Sequence, residues 1–311
     1  MLARLQCFTT IGLVLAALAW AAWFGSRGAP GWAFAGALLI LLGYALFLGA
    51  EFVLLAAVHG EDPAPRATAA ELLRAWWGEA TTAPRVFCWR QPFHEHAEPD
   101  NLGAGLRGRR GVVLVHGFVC NRALWNPWMH DLRRLGVPFV ALSLEPVFGS
   151  IDAYPPTIDE AVRRIEAATG LPPVVVGHSM GGLALRAWLD AQGADARFHH
   201  AITIGTPHHG TWLARWALTP NGMQMRRRSD WLAALAAREP ASRGSRFTCF
   251  YGHCDNIVFP PTTATLAGAR NVHLAGTAHV HMAFHPAVFS AVCGWLGVPA
   301  GSSDTGVRAA R

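Results

Sequence analysis

No lysine occurs in this 311-residue chain, so all 26 of its lysine-plus-arginine positions are arginine. They are scattered, and the densest run is Arg226-Arg227-Arg228. A net charge of +6 spread in this way makes no basic stripe, and no nucleic-acid-binding module is legible, so a nucleic-acid partner is excluded. Charge of either sign is scarce, at 15% against 52% hydrophobic residues. An ordinary soluble protein carries about 25% charged residues. That balance excludes a chain that is soluble throughout, and also one that lies wholly in a membrane. Cysteine is sparse too: Cys7, Cys88, Cys120, Cys249, Cys254 and Cys293 stand far apart with no Cys-x-x-Cys pair. They are expected as small buried hydrophobes, not as a disulfide framework or zinc site, although one bridge is compatible with the spacing. The 15 histidines include His208-His209 and His253, but these lack a partner set of metal-ligand spacing. Neither a metal nor a cofactor is expected.

Two stretches lack charge almost completely. None occurs from Phe8 to Phe24, and from Gly31 to Val58 the only one is Glu51. A bilayer core about 30 Å thick is crossed by roughly 20 helical residues, so both runs suffice. The spans, about 8–24 and 31–58, are joined by Gly-Ser-Arg-Gly-Ala-Pro, which predicts a transmembrane hairpin over residues 1–60. An alternative reads the first run as a secretory signal started by Arg4, leaving the second as an anchor. Arg4, Arg66 and Arg74 flank the side shared by both hairpin ends, against Arg27 in the turn, which favours a cytoplasmic position for the domain beyond the hairpin. Glu51 is assigned no catalytic role.

Residues 61–106 read as a juxtamembrane linker, with a short amphipathic stretch and Trp76-Trp77 suited to a membrane interface or to packing. From Gly111 onward, short apolar runs (Val112–Val115, Phe139–Leu142, Val174–Val176, Ala201–Ile204, Phe247–Tyr251, Val272–Leu274) alternate with helical stretches near Ala123–Leu135, Ile158–Thr169, Met180–Ala191 and Ala287–Leu296. This pattern predicts an α/β domain, 107–298, with a parallel sheet buried on both faces. Chemistry in such sheets gathers at the carboxyl ends of the strands. A Gly- and Ser-rich tail, 299–311, is expected to be disordered.

The strand Val174–Val176 runs into Gly177-His178-Ser179-Met180-Gly181 and then a helix, which is G-x-S-x-G in the strand–turn–helix setting it requires. Ser179 is the candidate nucleophile. Two N–H donors are needed for the anionic intermediate. Val112–Val115 ends in His116-Gly117-Phe118, so the backbone amides of Phe118 and Met180 are the candidates. In the chain order serine, acid, histidine, only Asp255 directly follows an apolar strand. Three histidines follow the last strand. His279 stands in a loop that can reach back over the sheet edge, His281 is held in reserve, and His285 precedes Pro286 where a helix should begin and suits a cap.

Taken together, Val-Leu-Val-His-Gly-Phe, Val-Gly-His-Ser-Met-Gly-Gly, Ile-Gly-Thr-Pro-His-His-Gly-Thr, Gln-Met-Arg with Ser-Asp-Trp-Leu, Asp-Asn-Ile-Val and Gly-Thr-Ala-His-Val resemble the bacterial triacylglycerol lipases and esterases of the α/β-hydrolase superfamily. The resemblance spans roughly Gly111 to Val298. It implies an α/β-hydrolase fold of about six strands, a Ser179–Asp255–His279 triad, oxyanion amides at Phe118 and Met180, and a carboxylic, lipid-like ester as substrate. It also implies a cap over about 211–243, whose Trp212, Leu213, Trp216 and Leu218 could face a membrane. Two features depart from the family: Ala278 replaces the glycine often found before the base, and the soluble secreted members have no N-terminal hairpin. The expectation is therefore a multi-pass enzyme of the bacterial inner membrane, whose partners are the bilayer and an ester substrate. A lipid acyltransferase with the same triad and a non-catalytic membrane scaffold are the alternatives.

Overall fold

Six runs of β-branched and aromatic residues form one sheet: β1 (Val112–Val115), β2 (Phe139–Ala141), β3 (Val174–His178), β4 (His200–Ile204), β5 (Phe247–Tyr251) and β6 (Arg270–His273). This is a computed structural model that describes residues 1–300; the expected disordered tail lies, from residue 301 on, outside the described residues. All neighbours pair in parallel, in the order β2-β1-β3-β4-β5-β6. Parallel strands need long crossovers, and the alternating helices supply them. The order reverses direction at β1, so a crevice opens between the carboxyl ends of β1 and β3.

The chain begins with α1 (Leu2–Ser26) and α2 (Pro30–Val58), two helices long and apolar enough to cross a membrane. They pack as a hairpin. A side chain at Gly36 would bring its Cβ within 1.9 Å of the Trp20 indole, so glycine there is what lets the helices close around that ring. Next comes α3 (Ala69–Pro84), started by a capping box in which Thr68 and Glu71 satisfy each other's backbone amides. It continues through one π-helical turn, Arg85–Arg90, into the short α4 (Gln91–Phe93). The segment expected as a linker is thus largely helical. It is bound to the hairpin: Trp76 Nε1 donates to the Ala45 carbonyl at 2.8 Å, and Tyr44 Oη to the Ala80 carbonyl at 2.8 Å.

Within the sheet domain the helices are α5 (Asn126–Arg134), α6 (Pro155–Thr169), α7 (Met180–Ala191), α8 (Pro220–Gln224), α9 (Asp230–Arg238), α10 (His279–Met282) and α11 (Pro286–Leu296). Prolines set several starts, since proline lacks the amide that a first turn leaves unpaired. Pro127 divides the stretch near Ala123–Leu135 into a 3-10 turn, Arg122–Trp125, and α5. Alternation along β1 distributes its side chains to two cores. Val113 and Val115 pack with α6 and α7, while Val112 and Leu114 pack with α5 and α11. A third cluster joins Phe52 and Leu55 of α2 to Ala75 of α3, and to Cys254, Phe259 and Ala278 of the loops at the sheet's carboxyl edge. The hairpin therefore shares a core with the domain.

Segment 211–243 folds over α7. Arg186 of that helix, 2% exposed, pairs through both Nε and Nη2 with the Glu239 carboxylate at 2.8 and 2.6 Å. Removing one partner of a buried pair strands the other charge. Glu239→Ala should lower stability by about 3–5 kcal/mol, read as a drop in the thermal unfolding midpoint of detergent-solubilised protein.

Candidate active site

Ser179 ends the turn between β3 and α7 with φ +54° and ψ −128°, a conformation that L-residues avoid. Its flanking glycines explain how the chain holds it. A Cβ on Gly177 would lie 2.6 Å from the Gly182 nitrogen, and one on Gly181 would lie 2.5 Å from the Val115 carbonyl oxygen. Thr206 Oγ1 donates to the Ser179 carbonyl at 2.9 Å, fixing the strained residue from behind. Its side chain faces a cavity at the carboxyl end of the sheet.

Beside it runs the loop after β1. His116 is buried, with Nε2 accepting from the Leu144 amide at 2.9 Å, so the proton sits on Nδ1 and is donated to the Gly117 carbonyl at 2.8 Å. Burial pushes this imidazole down to about 4, which keeps it a neutral brace. Val119, a β-branched residue at φ +55°, follows Phe118; its carbonyl accepts from Gln6 Nε2 of α1 at 3.3 Å. Among the described residues, neither the Phe118 amide nor the Met180 amide donates to a protein acceptor. Both residues adjoin the site, Met180 directly following Ser179 and Phe118 lining the same cavity.

His279 opens α10, and its Nδ1 lies 2.9 Å from each oxygen of Asp255. Asp255 is 1% exposed and also accepts from the amides of Ile257 and Val258 at 2.9 and 2.8 Å. Burial pulls the His279 imidazolium down, but the charge and hydrogen bond of Asp255, with Glu79 behind them, hold it above its ordinary value. Ser179 and His279 both line the cavity, yet no hydrogen bond joins their side chains among the described residues. In sites without substrate such bonds are often long, and they tighten on binding.

Three further groups fix the histidine. His178 Nε2 donates to the His279 carbonyl at 3.2 Å, with the two rings 4.7 Å apart; burial keeps His178 neutral, well below its ordinary value. Glu79 of α3 is buried and accepts from the amides of Val280 and His281 at 3.0 and 2.9 Å. Burial raises its carboxyl, and the two amides partly offset this. Asn256 accepts from the His279 amide at 3.2 Å and donates to Glu51 of α2 at 2.6 Å. The supporting roles of Glu79, Asn256, His116 and His178 are not legible in the sequence. Only Asn256, adjacent to the candidate acid, carries a signal that could point to it.

The reserve candidate, His281, turns away: its Nδ1 would meet a Cβ at Gly78 of α3 at 2.5 Å. His285 caps α11, accepting from the Ala287 amide at 3.2 Å. His253 pairs with His273 at 2.8 Å, and His208 with Thr203 Oγ1 at 3.0 Å. Among the described residues no group of three or more histidine, cysteine or acidic side chains could hold a metal ion.

The cavity has a volume of about 770 Å³. Its floor holds Gly117, Phe118, Ser179, Asn256 and His279. Most of the remaining wall comes from α1, α2, α3 and the π-helical turn after it, with Cys120, His178, Ile257 and Val280 of the sheet domain, and segment 211–243 contributes none of it. The hairpin, and not this segment, lines the cavity at Ser179, while Trp212 and Leu213 pack against the third cluster, that of Phe52 and Leu55.

A family model described as the alpha/beta hydrolase family matches residues 112–301, more than half of the chain. A search of curated proteins finds no match. Among solved structures the chain is similar to lipase B of Aspergillus fumigatus, at 21% identity and a TM-score of 0.52, covering 63% of this chain and 55% of that one. It is also similar to the mature form of the lipase BlEst2 of Bacillus licheniformis, at 17% identity and a TM-score of 0.54, covering 62% and 95%. The chain thus spans little more than half the length of the Aspergillus protein, and at these identities the likeness concerns the fold.

The raised histidine gives a test independent of any reaction. A group whose folded-state pKa exceeds its unfolded one stabilises the fold fully below about pH 6.5 and loses that contribution as pH rises through the folded value. In a nuclear magnetic resonance titration His279 should titrate above about 6.5. In Asp255→Asn, burial should dominate and bring the midpoint below that value; an unchanged midpoint would show that Asp255 does not set it.

Proposed function

The chain belongs to the alpha/beta hydrolase family, and from that premise we propose that it is a membrane-anchored serine hydrolase cleaving carboxylic esters, chiefly of lipids, with Ser179 as nucleophile, His279 as base and Asp255 as its orienting acid. The observation that carries this reading is the Asp255–His279 pair, set on the cavity into which the strained Ser179 also opens. The two lipase structures of like fold agree with the substrate class.

In the proposed reaction His279 Nε2 takes the proton of Ser179 Oγ as that oxygen bonds to the ester carbonyl carbon. Asp255 holds the Nδ1 proton and stabilises the imidazolium. The carbonyl oxygen, now negative, accepts from the amides of Phe118 and Met180. Collapse breaks the bond to the alkoxy oxygen, which leaves with the proton from His279. Water then repeats the attack on the acyl-enzyme, releases the acid and restores the serine hydroxyl. The positive N-terminal end of α7 points at the same place and favours the anion.

Membrane anchoring is supported by the apolar surface of the hairpin, where Phe8, Leu15, Leu18, Phe34, Leu38 and Leu46 all stand exposed. Such a surface in water would be an aggregation hazard. The arginine count around the hairpin favours the cytoplasmic side for the catalytic domain.

Ser179→Ala should lower kcat about a thousandfold or more with folding intact, and a fluorophosphonate should label Ser179 of the unmodified enzyme. A folded enzyme left unlabelled sinks the reading. The base must be neutral to act, so kcat/KM should fall on the acid side with a midpoint above about pH 6.5. That limb should move to lower pH in Asp255→Asn, alongside a large loss of kcat. Adding lipid alcohols to the assay separates hydrolysis from acyl transfer by the product formed.

A further inference from the structure

We propose that the transmembrane hairpin is itself the acyl-chain site: a membrane lipid ester lays one fatty acyl chain along the cavity between α1, α2 and α3, carbonyl at Ser179, and enters sideways from the bilayer. This rests on the esterase reading above and adds where the chain lies and by which route it arrives.

The lining is sorted by chemistry along its length. Polar groups gather at one end, with Ser179, His279, Asn256, Glu51 and Glu79, and the walls elsewhere are almost wholly apolar. Leu13 and Val14 of α1 face the cavity from one side, with Ile40, Leu41 and Leu48 of α2 from the other. From Glu51, at the level of the polar floor, to Ile40 the helix rises roughly 16 Å at 1.5 Å per residue, so the apolar part runs up into the hairpin. An ester with a long hydrocarbon tail matches this division: a polar head to be positioned and a chain needing only apolar contact.

The route follows from exposure. Leu42 and Phe47 line the cavity, yet 49% and 67% of their surfaces are exposed. This stretch of α2 is thus both cavity wall and outer surface, and the proposed entrance is placed there, on the flank of the hairpin. The hairpin is also pinned to the chemistry. Gln6 of α1 holds Val119, next to Phe118, and Glu51 of α2 holds Asn256, which holds His279. A mere tether would need none of these contacts.

Gly43 lines the cavity, and a Cβ added there would meet only Leu39 Cδ1, at 3.8 Å, so a side chain can be started at this position without a backbone clash. Full-length enzyme in phosphatidylcholine nanodiscs should be assayed on butyrate, octanoate and palmitate esters, comparing wild type with Gly43→Trp, Leu13→Trp and Leu46→Trp. Leu46 is 69% exposed and lies outside the lining. The palmitate-to-butyrate ratio of kcat/KM should fall at least about tenfold in the first two variants and hold in the third. The inference is overturned if Gly43→Trp and Leu13→Trp, labelled at Ser179 by fluorophosphonate, keep the wild-type ratio, or if Leu46→Trp lowers it equally. A palmitate ester with a diazirine at the chain end, photolysed on the wild type, should mark residues 10–14 and 40–48. Adducts confined elsewhere overturn the proposal. This labelling needs no turnover, so it decides the chain site even if the enzyme cleaves no ester; that failure would fall on the esterase reading alone.

Discussion

The candidate site depends on holding one imidazole still in a buried place. His279 sits in a short loop and a single helical turn, elements too small to keep a ring oriented by their own hydrogen bonds. The Asp255 carboxylate fixes Nδ1, and that carboxylate is itself fixed by two backbone amides. Glu79, Asn256 and His178 then bind the main chain of residues 279–281. Two of these supports depend on helices that precede the sheet domain. The sheet places the serine and the acid, but it does not by itself place the base.

The contrast between the two halves of the site is physical. Ser179 is held by local geometry: glycines that admit close backbone approach, a strand that ends and a helix that begins. His279 is held by long-range contacts: Glu79 is 201 positions from Val280, whose amide it accepts, and Glu51 is 205 positions from Asn256. Carboxylates buried beside a histidine favour its charged form, which is the state a base passes through when it accepts a proton.

The same contrast decides what is legible in the residues alone. The six strands and the helix Met180–Ala191 are legible because each rests on a run of neighbouring residues, and β6 starts two residues and ends one residue earlier than expected because an edge strand is half exposed and its apolar pattern is weaker. Asp255 stands out by following a strand directly. His279 ranks above His281 only by loop position, and the packing of His281 against Gly78 depends on a helix that no local pattern connects to it. A short amphipathic stretch near Trp76 is visible, but neither the full helix Ala69–Pro84 nor its partner is. Nothing in the residues of α2 shows that it faces Ser179, so the sequence points to residues 211–243 as the cover instead. Those residues are tied to α7, through Glu239 and Arg186, and to the loop before α6, through Gln224 and Trp231 on Asp152.

The third core, in which Phe52 and Leu55 of α2 pack with Phe259 and Ala278 of the sheet domain, bears on how the molecule can be handled. Cutting the chain after residue 60 to obtain a water-soluble enzyme would leave the sheet and its serine in place. It would also strip one side from the cavity, release Asn256 from its acidic partner and lay apolar loop residues open to water. Such a truncate would report on an altered site, because the apolar hairpin also supplies part of the scaffold around Asn256 and His279.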